Sequence, residues 1–428
     1  MSRIAIIGTG YVGLTTGACM AHLGHQVICA DVDTKKVEQL QGGVVPILEY
    51  RLDELVAEGL ANGRLTFTSD SSLAVSDAEV VFLCVPTPQG DDGSADLSYV
   101  QAAATTIAAA LPHECIVVNK STVPVGSTKV VERAIRRSDV RVVSNPEFLR
   151  EGSAVDDFLH PDRVVVGCDD PVAARAVGAL YDAVRPQLII TDPASAELIK
   201  YAANALLATK LSFVNAIATI CEQVGADIDD VVVGVGYDTR IGPGFLRPGP
   251  GWGGSCFPKD TRALARIAED AGYDFGLLRS VIEANLQQFD HITSKIRTAA
   301  GGSLSGVTVA IWGLTFKART DDLRDSPALE VAHRLLREGA IVQAFDPTVP
   351  EHRTGVPETI RLADGAVRAT SGATVLAVLT EWDEFKWIDP TEVAAAMPGR
   401  HVVDGRNILD RAQWQRNGFH VASTGRSS

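Results

Sequence analysis

The sequence lacks the cysteine spacings that hold small secreted domains or zinc sites together. Its seven cysteines (Cys19, Cys29, Cys84, Cys115, Cys168, Cys221 and Cys256) are scattered, odd in number and without a CxxC pair, so neither a disulfide framework nor a zinc site is indicated. Positive charge is also in short supply. With 39 Lys and Arg against 53 Asp and Glu, the formal net charge is −14, which argues against nucleic acid or an anionic membrane surface as the main partner. An anionic ligand must then be held by local features. Apolar stretches such as "AAATTIAAAL" at 102–111 fall short of the ~20 residues of a membrane span, and Met1 is followed at once by a strand pattern rather than a signal peptide. No membrane partner and a cytoplasmic location are therefore expected. Short-period repeats and low-complexity tracts are missing too, apart from the tail "STGRSS" (423–428), which is expected to fray.

What is present is a globular composition, 46% hydrophobic, over 428 residues, too long for one comfortable core and expected to form two or three domains. "RIAIIGTGYVGLTTGACMAHLG" predicts a buried strand (3–7), a glycine turn and a helix to about Gly24, and "QVICAD" (26–31) predicts the next strand. Strand and helix alternate onward through strands at 79–85, 115–120, 140–145, 163–167 and 187–191, with helices near 97–110 and 127–137. That alternation predicts a mostly parallel, doubly wound α/β sheet. At 195–225 apolar residues recur at helical spacing for about eight turns without Pro or Gly until the end. Such a helix can join two domains, and its apolar length admits either a dimer contact or a fully buried intrachain helix. A Gly/Pro-rich loop (239–258) and further helices to about 300 follow, after which strands at 307–313, 341–346, 374–379 and 401–405 and a helix at 327–338 predict a second, smaller α/β domain. "FDP" (345–347) closes its second strand with an acid much as "ADVD" closes the first domain's, which suggests two nucleotide-binding lobes facing each other.

"GTGYVG" (8–13) is a G-x-G-x-x-G between strand and helix, with Asp31 closing the next strand 18 residues after Gly13. Gly8 allows the tight turn, Gly10 lets backbone approach a pyrophosphate, Gly13 lets helix pack on strand, and the helix N-terminus supplies N–H donors. Asp31 is expected to bind an adenosine ribose and repel a 2′-phosphate, favouring NAD over NADP. Six of the cysteines lie in apolar or helical patterns and are expected to be core filler. Cys256, in "GWGGSCFPKD" (251–260), sits among glycines near Lys259. Spacing alone leaves it as either a nucleophile or a small loop residue. With a nicotinamide cofactor, a thiolate that captures an aldehyde yields a thiohemiacetal, which can lose a second hydride, become a thioester and end as an acid. "NPEFLREG" (145–152) brings Glu147 and Glu151 to the end of a strand, where such folds place ligand chemistry and where plain loop acids also occur. "STVPVGST" (121–128) offers hydroxyls at the same sheet edge, or a cap for the helix from 127. Lys200 and Asn204, four apart on the long helix, pair a cation and an amide suited to an oxyanion; a snorkelling lysine beside a polar neighbour has the same spacing.

In their order, "GTGYVG", "CVPTP" (84–88), "STVPVGST", "NPEFLREG", "PDRVVVG" (161–167), "ELIKYAANA" (197–205), "RIGPGFLRPGPGWGGSCFPKD" (240–260), "GLTFKARTDDLRDSP" (313–327) and "VVDGRN" (402–407) resemble the UDP-glucose/GDP-mannose dehydrogenase family over nearly the whole chain. The resemblance implies two Rossmann-like domains joined by a long helix and a central helical domain: an NAD domain (1–194), a helical dimerisation domain (195–300) and a UDP-binding domain (301–428). It implies a four-electron, NAD-dependent oxidation of a sugar C6 alcohol to a carboxylate in a homodimer with a shared active site. "GGSCFPKD" points to UDP-glucose as substrate and UDP-glucuronate as product, with GDP-mannose or another nucleotide sugar as the alternative. A two-electron alcohol dehydrogenase or a nucleotide-sugar sensor would have no use for Cys256.

Carried over by position, the resemblance makes Cys256 the nucleophile and Lys200 and Asn204 the oxyanion pair, Lys200 also moving a proton. Glu147, Thr122 and Asp260 become the group that activates water for thioester hydrolysis. Glu147, Phe148, Leu149, Glu151, Lys200, Asn204, Phe245, Leu246, Gly253 and Lys317 correspond to substrate contacts, and Arg240 to an arginine reaching the neighbouring subunit's site. Gly8, Gly10, Tyr11, Val12, Gly13, Asp31, Lys36, Pro86, Thr87, Ser121, Thr122, Glu151 and Arg324 correspond to cofactor contacts. No metal is implied. Trp252 departs from the family, where a smaller aromatic is commoner, and is expected to alter the shape of the sugar pocket.

Overall fold

The structure is a computed structural model describing residues 1–90, 93–350 and 354–426. The chain divides into two compact units, Met1–Ala203 with Arg262–Ala271, and Asn204–Thr261 with Gly272–Ser428.

In the first unit, eight strands form one sheet: β1 (Arg3–Ile7), β2 (Gln26–Ala30), β3 (Leu65–Thr68), β4 (Val80–Leu83), β5 (Ile116–Asn119), β6 (Arg141–Ser144), β7 (Val164–Gly167) and β8 (Leu188–Thr191). Their order is β3-β2-β1-β4-β5-β6-β7-β8. Every pair is parallel except β6 with β7, which meet antiparallel at Ser144 and Gly167. The apolar runs stay unbroken because both faces are covered. Ile4 and Ile6 pack with Leu14, Met20 and Phe82 on one face, while Ala5 and Ile7 pack with Val81, Val100 and Ile107 on the other. The strand order reverses between β1 and β4, and the crevice at such a reversal, beyond the carboxyl ends of the strands, is where doubly wound sheets bind ligands.

The second unit carries a six-stranded, all-parallel sheet ordered β11-β10-β9-β12-β13-β14. Its strands are β9 (Thr308–Trp312), β10 (Ile341–Phe345), β11 (Arg361–Leu362), β12 (Val375–Val378), β13 (His401–Asp404) and β14 (His420–Ser423). Val309 and Ile311 face Leu329, Val331 and Leu335, whereas Ala310 and Trp312 face Phe385, Val393 and Trp414.

The long helix runs Pro193–Val224, 32 residues. By length and composition it could cross a membrane, with mean hydropathy 1.3 over its most apolar window. Glu197, Lys200, Asn204 and Lys210 interrupt its apolar residues, so no unbroken apolar run marks it in the sequence.

Two expectations need correcting. The tail does not fray at Ser423: that residue ends β14, Thr424 is buried, and Gly425 N–H donates to Glu222 at 2.7 Å; Ser427 and Ser428 lie outside the described residues. Cys168 is only half-buried, while the other five presumed core cysteines are buried, since it stands just past the end of β7. Asp346, the acid at the end of β10, is buried and spent on its own turn. It accepts from the N–H groups of Leu314 (2.8 Å) and Thr315 (3.0 Å), the Thr315 hydroxyl (3.0 Å) and the Trp382 indole (3.1 Å).

Candidate active site

The glycine turn is built as its spacing predicts. A Cβ at Gly13 would stand 1.9 Å from the Gly8 carbonyl oxygen, so only glycine lets the helix Tyr11–His22 start this close to β1, whereas no atom lies within 4 Å of that point at Gly10. The open side of Gly10 and the free N–H groups of the helix N-terminus suit a pyrophosphate. Asp31 accepts from Thr9 N–H (2.8 Å), the Thr9 hydroxyl (2.7 Å), Asp33 N–H (3.0 Å) and Lys36 Nζ (3.2 Å). Burial pushes its carboxyl up, but these donors outweigh it and hold the group below the ordinary value. An ionised carboxylate at this strand end fits a ribose diol and disfavours a 2′-phosphate. Val12 follows Tyr11 in the first helical turn. Pro86 and Thr87 follow β4, and Ser121 and Thr122 follow β5, at adjacent carboxyl edges. The Thr87 hydroxyl donates to Thr122 O (2.9 Å) and that of Ser121 to Val85 O (2.7 Å), pinning the two loops together.

Glu147 leaves β6 and is 5% exposed; its Oε1 accepts from Lys200 Nζ at 2.8 Å and its Oε2 from Leu149 N–H at 2.6 Å. Burial raises the Glu147 carboxyl, yet Lys200, the Leu149 N–H and Lys120 together hold it below the ordinary value. The snorkelling reading of Lys200 fails, because its side chain is buried. The Phe148 ring carries Arg163 3.6 Å and Lys200 5.4 Å from its centroid. It is thus a platform for cations. Glu151 is half-buried in the turn that follows.

In the second unit, Cys256 immediately precedes the helix Phe257–Asp270 and its carbonyl accepts the first helical bond, from Asp260 N–H at 2.9 Å. The N-terminal end of a helix favours negative charge beside it, which suits a thiolate. The sulfur is half-buried and 3.6 Å from Ser255 Oγ. A Cβ at Gly253 would stand 1.9 Å from Asp325 O, and one at Gly254, at φ +81, 2.7 Å from the Phe316 ring. The glycines therefore let the thiol loop lie directly on the segment 316–325 that carries Lys317 and Arg324. Asp260, 1% exposed, accepts from Asn204 Nδ2 (2.6 Å) and Lys259 Nζ (2.5 Å). Asp260 thus orients the Asn204 amide. Phe245 holds a left-handed backbone at φ +60 beside buried Leu246. Such strain persists only where the surroundings enforce it. Lys317 Nζ lies 5.3 Å from the Phe316 ring centroid, and Arg324 is gripped by Asp322 (2.7–3.0 Å). Arg240 is 87% exposed and paired with Asp238.

Trp252 belongs to a packed core of this unit. Its indole N–H donates to Ser212 Oγ (2.9 Å), and it packs with Ala208 and Val281. A pocket aromatic and a core one look alike in sequence. Four further charged groups escaped the sequence reading. Glu49 accepts from Tyr11 OH, Gly152 N–H (2.7 Å) and Ala154 N–H (2.9 Å), tying the glycine turn to the 145–152 loop. Glu197 accepts from Gly126 N–H (2.6 Å), Thr128 N–H (2.9 Å) and the Thr128 hydroxyl (2.6 Å), seating "STVPVGST" against the long helix. Arg406 donates to Leu379 O (2.9 Å) and Phe316 O (3.2 Å). Lys120 closes β5 in a buried site. Only Glu197, one turn before Lys200, had a visible signal. Among the described residues, no group of three or more His, Cys, Asp or Glu side chains could hold a metal ion.

A doubly wound sheet with this glycine turn and strand-end carboxylate, followed by a helical segment and a second doubly wound sheet, defines an NAD-dependent dehydrogenase. The chain belongs to the UDP-glucose/GDP-mannose dehydrogenase family. The family's NAD binding domain matches residues 2–185, its central domain 194–287 and its UDP binding domain 310–411. Relatives include UDP-glucose 6-dehydrogenase of Rhizobium meliloti (strain 1021), 46% identical with 99% of each chain covered. Another is UDP-glucose 6-dehydrogenase TuaD of Bacillus subtilis (strain 168), 44% identical over 100% of this chain and 94% of that one. Among solved structures, a UDP-glucose dehydrogenase from Pyrobaculum islandicum superposes with TM-score 0.92 at 35% identity, covering 100% of this chain and 98% of the other.

Proposed function

We propose that the protein oxidises UDP-glucose at C6 to UDP-glucuronate, as a cytoplasmic homodimer organised as the three domains 1–194, 195–300 and 301–428. The observation that carries the reading is Cys256 at the start of a helix in a chain that also holds a complete dinucleotide turn, because a thiol nucleophile lets an aldehyde be oxidised again without release. Gly8–Gly13 and Asp31 would hold NAD⁺, which would supply the hydride acceptor for each oxidation, alcohol to aldehyde and thiohemiacetal to thioester. Lys200, in its neutral form, takes the C6 hydroxyl proton. The Cys256 thiolate then adds to C6, forming a C–S bond, while Lys200 and the second N–H of the Asn204 amide stabilise the oxygen that becomes negative. Glu147, Thr122 and Asp260 are the group that activates water. Its attack on the thioester breaks the C–S bond, returns the thiolate and leaves the carboxylate.

Phe148, Leu149, Glu151, Phe245, Leu246, Gly253 and Lys317 are assigned to the substrate, and Tyr11, Val12, Lys36, Pro86, Thr87, Ser121 and Arg324 to the cofactor. The dimer is supported by Leu206, Phe213 and Ile220, which recur every seven residues along the long helix and are more than half exposed. The exposed Arg240 supports a site completed by the partner. The test is NADH yield per mole of UDP-glucose, GDP-mannose and UDP-N-acetylmannosamine. Two NADH per UDP-glucose is expected, and a yield of one, or turnover of another sugar nucleotide alone, overturns the reading.

A further inference from the structure

Lys120 is 5% exposed, and among the described residues its ammonium hydrogen-bonds to neutral groups, Asn145 Oδ1 at 3.0 Å and Tyr181 OH at 3.2 Å. Tyr181 OH in turn donates to Asn145 Oδ1 (2.7 Å), and Asn145 Nδ2 to Val165 O (2.7 Å). A buried cation without a carboxylate of its own is costly. Cys84, beside it, offers no counter-charge, because burial pushes that thiol up to about 12. The carboxylate that Lys120 faces is Glu147, which also accepts from Lys200, so both ammoniums bear on the same carboxylate.

We propose that Lys120 is a positioning residue for the reaction: tied to Asn145 and Tyr181, it holds the chain where it leaves β6 for Glu147, and it puts a second positive charge behind the Glu147–Lys200 pair, favouring the neutral, proton-accepting form of Lys200. The groups facing this cluster include Cys19 on the helix Tyr11–His22, Cys84 after β4, Glu147 and Asn145 after β6, Arg163 before β7, Tyr181 before β8 and Lys200 on the long helix. Burial also lowers Lys120 itself, to about 8, against the opposing pull of Cys84 and Glu147. The charge is therefore present through neutral pH, where turnover needs it.

The inference rests on the reading of Lys200 as the group that accepts the proton, and the pH profile of kcat with UDP-glucose and NAD⁺ tests it. Removing a neighbouring cation makes Lys200 harder to deprotonate, so Lys120→Met moves the acid limb up by at least about 0.5 pH unit. Both KM values are expected to stay within about twofold. Tyr181→Phe removes a hydrogen-bond partner but leaves the charge; it lowers Tm while holding the limb within about 0.2 unit. Lys120→Gln, which can still donate toward Asn145, is the second variant should the methionine chain fail to fold. A folded Lys120→Met or Lys120→Gln enzyme with an unmoved limb overturns the inference and reduces Lys120 to packing. Turnover retained by Lys200→Met overturns the underlying reading instead, whatever the Lys120 variants do.

Discussion

Cys256 is set apart from the other cysteines by where its backbone lies. Five of them are enclosed in cores; for Cys19, Cys29, Cys84 and Cys115, burial drives the thiol up and keeps it neutral. Cys256 instead opens a helix in a loop that glycine alone lets fold onto 316–325. Serine fills the same space, so Cys256→Ser is expected to fold with an unchanged Tm and to bind both ligands. Its hydroxyl is a weaker nucleophile and its ester hydrolyses more slowly than a thioester. Steady-state NADH production should fall more than about 100-fold. Two NADH per sugar at the wild-type rate would show that the sulfur is not the nucleophile.

The long helix Pro193–Val224 serves as a spine because it presents different chemistry turn by turn. Glu197 caps the "STVPVGST" helix, Lys200 meets Glu147 and Asn204 meets Asp260. Near its end Glu222 accepts from Lys295 Nζ (2.6 Å) and Gly425 N–H (2.7 Å), fastening the C-terminal segment. Burial raises the Glu222 carboxyl, but the His291 ring nitrogen 3.2 Å away and the bonds from Lys295 and Gly425 prevail and bring it from 4.5 down to about 2. A carboxyl lowered in the folded state adds stability that is complete above its unfolded value and is lost as pH falls through the window from 4.5 toward 2. Glu222→Gln should therefore cost about 2 kcal/mol at neutral pH. Its Tm should also fall less steeply than wild type between about pH 5 and 3. Parallel Tm curves would remove Glu222 from the acid response.

At the scale of the whole molecule, the exposed stripe of Leu206, Phe213 and Ile220 and the exposed Arg240 make one prediction. Arg240→Ala and Cys256→Ala chains, each inactive alone, should regain up to about a quarter of wild-type activity when mixed and exchanged, since a random dimer can rebuild one of two sites in half the pairs. No recovery after confirmed exchange would mean that each subunit works with its own arginine.

The alternation of strands and helices, the turn at 8–13 and Asp31 were all legible in the sequence. They depend on periods of two and 3.6 and on the demands of single backbone positions, which neighbours along the chain satisfy. The short strands β3, β11 and β14 were not legible, since two to four residues carry too little pattern. Nor could sequence tell which polar side chains go inside. Lys200 pairs with Glu147 across 53 positions, Lys120 with Tyr181 across 61 and Gly126 with Glu197 across 71, while Trp252 turned out to belong to a core. The sequence by itself determined the two doubly wound sheets, the glycine turn and the thiol; only the tertiary structure decided which charges share a buried site, because the cost of burying a charge is set by partners that the chain brings close only once it has folded.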